Sequence, residues 1–154
     1  MAFLEKEVFT TVIDSTPLVS IDLVVVNEHE KVLLGFRTNK PAKGFWFVPG
    51  GRIQKNESLA CAFNRLTNQE LGCNFDIRQA QFLGPFEHFY DDYVFGDDIS
   101  THYVVLGYKL RVSTSQLRLP HEQHNAYEWY SERDLLNADS VHRHTKWYFD
   151  PSAE

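Results

Sequence analysis

The stretch Phe47-Val48-Pro49-Gly50-Gly51-Arg52-Ile53-Gln54-Lys55-Asn56-Glu57, followed by Leu59–Leu71 and Gly72, decides how this chain is read. Two glycines after an apolar run mark a strand ending in a turn where backbone can approach a ligand closely. Leu59, Phe63 and Leu66 then recur at i, i+4 and i+7, the spacing of an amphipathic helix. At roughly 100° per residue, Glu70 projects within about 20° of Leu59, on the apolar face. A carboxylate there needs a partner, because desolvating an unpaired charge costs several kcal/mol. An arginine or a metal ion would satisfy it; reaching out to water, or pairing with Arg65, is the plainer alternative.

Working outward, the β-rich runs Leu18–Val26 and Lys31–Arg37 flank the polar turn Asn27-Glu28-His29-Glu30, which predicts a hairpin. Upstream, Glu5–Ile13 carries Phe9, Val12 and Ile13 at helical spacing and ends before Pro17. Phe45–Val48 reads as a short strand, with further strands near Asp76–Gly84, Thr101–Val112 and Ala126–Tyr130. Ser131-Glu132-Arg133-Asp134 opens another helix, with serine at the cap and an acid three residues on. Strands interrupted by two or three helices predict an α+β or α/β layered architecture, here as one domain over residues 1–154.

Composition narrows the function classes. Hydrophobic content of 43% and charged content of 23% are those of a soluble globular protein. Aromatic content is high at 14%, enough for some rings to act as stacking surfaces. A net charge of −6 argues against nucleic-acid and anionic-membrane partners, which demand a basic surface. No apolar run reaches transmembrane length, and Met1–Glu7 lacks the basic-then-apolar order of a signal peptide. Cys61 and Cys73 are too few for a disulfide framework or a zinc knuckle, so a cytoplasmic location is expected. His142-x-His144 reads as a surface pair near a polar C-terminus, and Asp91-Asp92 with Asp97-Asp98 as a solvated turn lacking EF-hand spacing.

The opening stretch resembles a Nudix box, in which glycine, five residues, glutamate and seven residues precede Arg-Glu-apolar-x-Glu-Glu-x-Gly. Gly51, Glu57, Arg65, Glu70 and Gly72 fall in register, while Leu66 and Gln69 stand where two of the glutamates belong. Outside the box, Ser15–Ser20, Gly44–Arg52, His88–Asp92, Thr101–Gly107 and Leu119–His124 are similar to one branch of that family, the GDP-mannose mannosyl hydrolases. This resemblance thins out past Leu135. It implies the Nudix fold, α+β with a mixed central sheet flanked by helices. It also implies hydrolysis of GDP-mannose, with GDP-glucose as a second substrate, to GDP and free sugar by inverting substitution at C1.

The same resemblance implies one Mg²⁺ per site, with Mn²⁺ as an alternative, held by the Gly50 carbonyl, Glu70 and the side-chain oxygen of Gln123. Two lost carboxylates fit a single cation better than a cluster, since Mg²⁺ prefers hard oxygen ligands. His124 is the candidate base, because an ordinary imidazole titrates near 6.5 and accepts a proton at neutral pH. His88 is a second histidine that would orient the base or the sugar. Arg37 is the candidate contact to the leaving phosphate, and Arg52 and Arg65 flank the same pocket; Arg65 can equally brace the helix through Glu57. Asp22 and Tyr103 resemble residues that contact base, sugar or diphosphate, although Tyr103 is also readable as core. Phe3 and Leu4 would close the nucleotide pocket of a second subunit, implying a homodimer. Two rivals stay open: an ordinary Nudix pyrophosphohydrolase attacking phosphorus, and a non-catalytic nucleotide-sugar sensor.

Overall fold

The run Leu18–Val26 (β1) is buried at every position but Val19, because it is a central strand covered on both faces. The computed structural model describes residues 4–120 and 126–153. β1 pairs in parallel with Thr101–Arg111 (β6), from Leu18↔Tyr103 to Val26↔Arg111. It pairs antiparallel with Val32–Phe36 (β2) and with Gly50–Arg52 (β4). Trp46–Phe47 (β3) and Tyr127–Tyr130 (β7) pair with β2, and Gln81–Tyr90 (β5) pairs with β6. Among the described residues the result is a seven-stranded mixed sheet of order β3-β2-β1-β6-β5, with β4 joined to β1 and β7 to β2.

Strand alternation sorts the core into two layers. Ile21, Leu23 and Val25 face the helix Leu59–Leu71 (α2) and pack with Ala62, Phe63, Leu66 and Leu71. Val24 and Val26 face the opposite side, with Leu135 of Glu132–Asn137 (α3) and Val141, just before Arg143–Lys146 (α4). The remaining helix, Lys6–Ser15 (α1), packs Ile13 against Leu18 and Tyr93. Helix ends follow their sequence signals. Ser58 Oγ accepts from Cys61 N at 3.1 Å, Ser131 Oγ accepts from Asp134 N at 3.1 Å, and Gly72 closes α2 at φ 70°. No described helix is long and apolar enough to cross a membrane.

Four local expectations need correction. The strand expected over Asp76–Gly84 starts later, because Asp76 and Gln79 form a capping box that winds Ile77–Gln79 into a single 3₁₀ turn. Leu59 is 44% exposed, since the apolar stripe of α2 meets the sheet only from Ala62 onward. Gly50 and Gly51 lie within β4 rather than in a turn. Finally, His144 is buried, not on the surface, because the chain after α3 folds back over β5.

Candidate functional site

The even-numbered face of β1 and its neighbours forms the floor of a cavity. It gathers Asp22, Arg37, Gly50, Arg52, Glu70, His88 and Tyr103, all singled out from the sequence, together with Ser20, Phe47, Tyr90 and Val105. Arg37 follows β2 directly and is held by its own loop: Nε donates to Pro41 O at 2.8 Å, and its carbonyl accepts from Gly44 N at 2.8 Å.

Close approach to backbone requires glycine at position 50, and Gly51 faces the end of a leucine side chain. A Cβ on Gly50 would lie 2.3 Å from Ile21 O and 2.6 Å from Asp22 Oδ1, and one on Gly51 would lie 2.6 Å from Leu66 Cδ2. Leu66, at a box carboxylate position, is 3% exposed and belongs to the core. Gln69, at the other, accepts from Arg65 Nη1 at 3.1 Å. Asp22 and Gly50 are opposed between ladder bonds such as Leu23 N to Pro49 O at 2.8 Å. Antiparallel alternation therefore turns the amide and carbonyl of Gly50 away from β1. The amide donates to Glu70 Oε1 at 3.2 Å, and the carbonyl lies on the same side of the strand. Glu70 is 6% exposed, so it is a buried carboxylate beside the Gly50 main chain. That donor set suits a hard cation. Among the described residues no group of three or more His, Cys, Asp or Glu side chains is arranged to hold a metal ion.

Burial shifts the protonation of four groups in and beside the cavity. Desolvation raises Asp22 to about 7, opposed by the hydrogen bond from Tyr148 and the charge of Arg37. Desolvation likewise raises Glu70 to about 7, opposed by the Gly50 amide and Arg37. His88 and His142 are each pushed down to about 3, first by burial and then by neighbouring imidazoles. At neutral pH both rings are uncharged, and His88 is too weak a base to take a proton from water readily.

These shifts make a test of the metal-free protein. Unfolded carboxyls ionise near 4, whereas folded Asp22 and Glu70 hold their protons to about 7. Over that window the folded state binds more protons, so their contribution to stability falls as pH rises and levels off above about 7. His88 and His142 act oppositely: the unfolded rings charge below about 6.5, so their contribution rises with pH from about 3 to about 6.5. The two trends partly cancel in wild type. Thermal unfolding in a chelator should therefore show Glu70→Gln gaining stability relative to wild type as pH climbs from about 4 to about 7. A constant difference across that range would remove Glu70 from the buried titrating pair.

Other sequence candidates are placed differently. Arg65 does not line the cavity. Its Nε donates to Glu57 Oε2 at 2.6 Å and its Nη2 to Glu57 Oε1 at 2.8 Å and Arg52 O at 2.9 Å, so it braces the loop against α2. Leu4 is 40% exposed and away from the lining. Phe3, Gln123 and His124 lie outside the described residues. Residues on either side of 121–125 are held by hydrogen bonds. Ala126 O accepts from Phe36 N at 3.0 Å, one residue before Arg37, and Pro120 O accepts from the Tyr127 hydroxyl.

Sequence reading missed Tyr90 and the C-terminal wall. Tyr90 was within reach, since it alternates with His88 along β5 and so shares its face. His142, His144 and Tyr148 had no local signal. His144 stacks on His88 with ring centroids 4.3 Å apart and planes 2° apart.

The profile of the NUDIX domain family matches residues 16–150. The chain belongs to the Nudix family. It is 41% identical over 119 residues to the low-salt glycan biosynthesis protein Agl8 of Haloferax volcanii, spanning 76% of this chain and 74% of that one. The backbone matches the MutT protein of Methanosarcina mazei Go1 with a TM-score of 0.71, over 89% of this chain and 94% of that one, at 19% identity. It matches the NUDIX domain of Shewanella oneidensis NrtR, solved with ADP ribose, at a TM-score of 0.65 over 98% and 100% of the two chains and 19% identity. These two likenesses carry the fold, which is the expected α+β arrangement of a mixed sheet flanked by helices. The chain is thus a hydrolase of the Nudix family, whose members generally use divalent metal ions.

Proposed function

We propose that this Nudix protein hydrolyses GDP-mannose, with GDP-glucose as a second substrate, to GDP and free sugar by inverting substitution at C1. The observation that carries the reading is the fate of the box carboxylates. Leu66 is core, Gln69 is engaged with Arg65, and Glu57 is engaged with Arg65, so Glu70 is the box carboxylate that reaches the cavity. Attack on phosphorus in this family leans on several box carboxylates to hold metals and activate water. One carboxylate suits a simpler task, neutralising a departing diphosphate. The likeness to a glycan biosynthesis protein favours a sugar-bearing substrate.

Glu70 and the Gly50 carbonyl, with Gln123, would hold one Mg²⁺ or Mn²⁺. That ion, when bound, supplies charge neutralisation for the leaving group. Arg37, Arg52 and Tyr103 then add donors on the phosphate side of the cavity, where charge develops as the glycosidic bond breaks. Asp22 accepts from a sugar hydroxyl, and neutral His88 orients the sugar. His124 takes the proton of the attacking water, on the face of the ring opposite GDP. Phe3 and Leu4 are assigned to the partner's pocket in a cytoplasmic homodimer.

Hydrolysis in ¹⁸O-labelled water tests the reading. Cleavage at C1 places the label in mannose and leaves GDP unlabelled. Label in a phosphate, or release of GMP and mannose 1-phosphate, would establish the ordinary pyrophosphohydrolase instead; absence of turnover with Mg²⁺ would favour the sensor.

A further inference from the structure

The chain after Leu135 lies beyond the segments that carry the resemblance, yet it is docked along one wall of the cavity. Trp46 N donates to Ser140 O at 2.8 Å, His142 N to Trp46 O at 3.0 Å, and Val48 N to Thr145 Oγ1 at 3.2 Å. The segment is therefore fastened to the very stretch that leads into Gly50. At its end the Tyr148 hydroxyl donates to Asp22 Oδ2 at 2.6 Å.

The ring that carries this hydroxyl is itself located by two features. A Cβ on Gly107 would lie 2.9 Å from Tyr148 Cε1, so only glycine lets the ring lie across β6 at this height. Phe86 meets it edge-on, with centroids 4.6 Å apart at 70°. Asp22 and Gly107 are partners in the β1–β6 ladder, so the glycine stands directly beside the carboxylate that Tyr148 holds. With Oδ2 tied to the hydroxyl, Oδ1 rests against Gly50, at the corner of the cavity where Glu70 also ends.

We propose that Tyr148 is a positioning residue for the reaction: its hydroxyl pins one oxygen of Asp22 and so sets where the other meets the substrate. Tyr148 does not line the cavity, so it acts through Asp22 and not on the ligand. The bond is charge-assisted whenever Asp22 is ionised, which places it among the stronger hydrogen bonds. The inference rests on the proposed use of this cavity for a nucleotide sugar.

A double-mutant cycle tests it. Tyr148→Phe keeps the ring and removes the hydroxyl; it should lower kcat/KM for GDP-mannose about 10-fold, the worth of a hydrogen bond to a charged group. In an Asp22→Ala background the same change should cost less than about 2-fold, because the partner is gone. Phe86→Leu, which loosens the ring that carries the hydroxyl, should act through the same bond and so also cost less in the Asp22→Ala background than alone. Where turnover of the Asp22→Ala proteins is too slow, affinity for GDP-mannose is read in its place. An equal loss for Tyr148→Phe with and without Asp22, or no loss at all, would overturn the proposal. Wild-type products are identified first, and the cycle is run on whichever nucleoside diphosphate derivative is cleaved. A wrong substrate is thereby separated from a wrong role for Tyr148.

Discussion

Glu70→Gln should bind Mg²⁺ far more weakly than wild type and lose at least about 10²-fold in kcat/KM, since disturbing even an outer partner of a metal ligand costs 10–100-fold. The substitution is conservative in shape. Its amide oxygen still accepts from Gly50 N, the bond that joins α2 to β4 at 3.2 Å, so the fold should survive. What disappears is the one box carboxylate that reaches the cavity. Glu57→Gln provides the contrast. Glu57 holds Arg65 through two bonds and accepts from Gln54 N at 2.9 Å, so its loss should lower Tm while leaving metal affinity close to wild type. Calorimetric titration of Mg²⁺ into the three proteins measures both. Equal affinity in wild type and Glu70→Gln would remove Glu70 from the metal site, and with it the account of the box.

The second large effect is at His124. If it takes the proton of the attacking water, wild-type turnover should rise with pH through an apparent pKa of roughly 6–7.5 and then level off. His124→Gln should reduce kcat by about 10²–10⁴-fold, leave substrate binding nearly intact and abolish the rising limb, because glutamine does not titrate. Arg37→Gln should slow turnover while keeping the limb, since it removes charge stabilisation rather than proton transfer. The cavity itself names the residue to examine if the limb survives in His124→Gln. His88, pushed down to about 3, does not titrate in that range, whereas Asp22, raised to about 7 by burial, does. Asp22→Asn would then be the variant that flattens the profile.

Much of this site was legible because its parts are local. The hairpin of β1 and β2, the cap at Ser58, the i, i+4, i+7 stripe of α2 and the in-register Gly51, Glu57, Arg65, Glu70 and Gly72 all depend on short spacings along the chain. Even the need of Glu70 for a partner follows from helical periodicity, although the partner in the described structure is a backbone amide. Arg65 shows the limit of that approach. Spacing allowed both a brace and a cavity residue, and only the position of Arg52 O and Glu57 around its guanidinium chose the brace.

Sequence by itself determined the β1–β2 hairpin, the helices α1, α2 and α3, the damaged box and the family to which that box belongs, because each is a pattern within a few turns or one hairpin. Tertiary structure decided which of those residues share a cavity. Asp22, Glu70, His88 and Tyr103 sit on four separate elements and meet only when β1 pairs in parallel with β6 and α2 packs on β4. It also decided the fate of the C-terminal histidines and Tyr148, which carry no local spacing signal. Their burial comes from contacts 55 residues away for His144 with Phe89, and 126 residues away for Tyr148 with Asp22. Such contacts are invisible to periodicity, whose reach ends within the element that generates it.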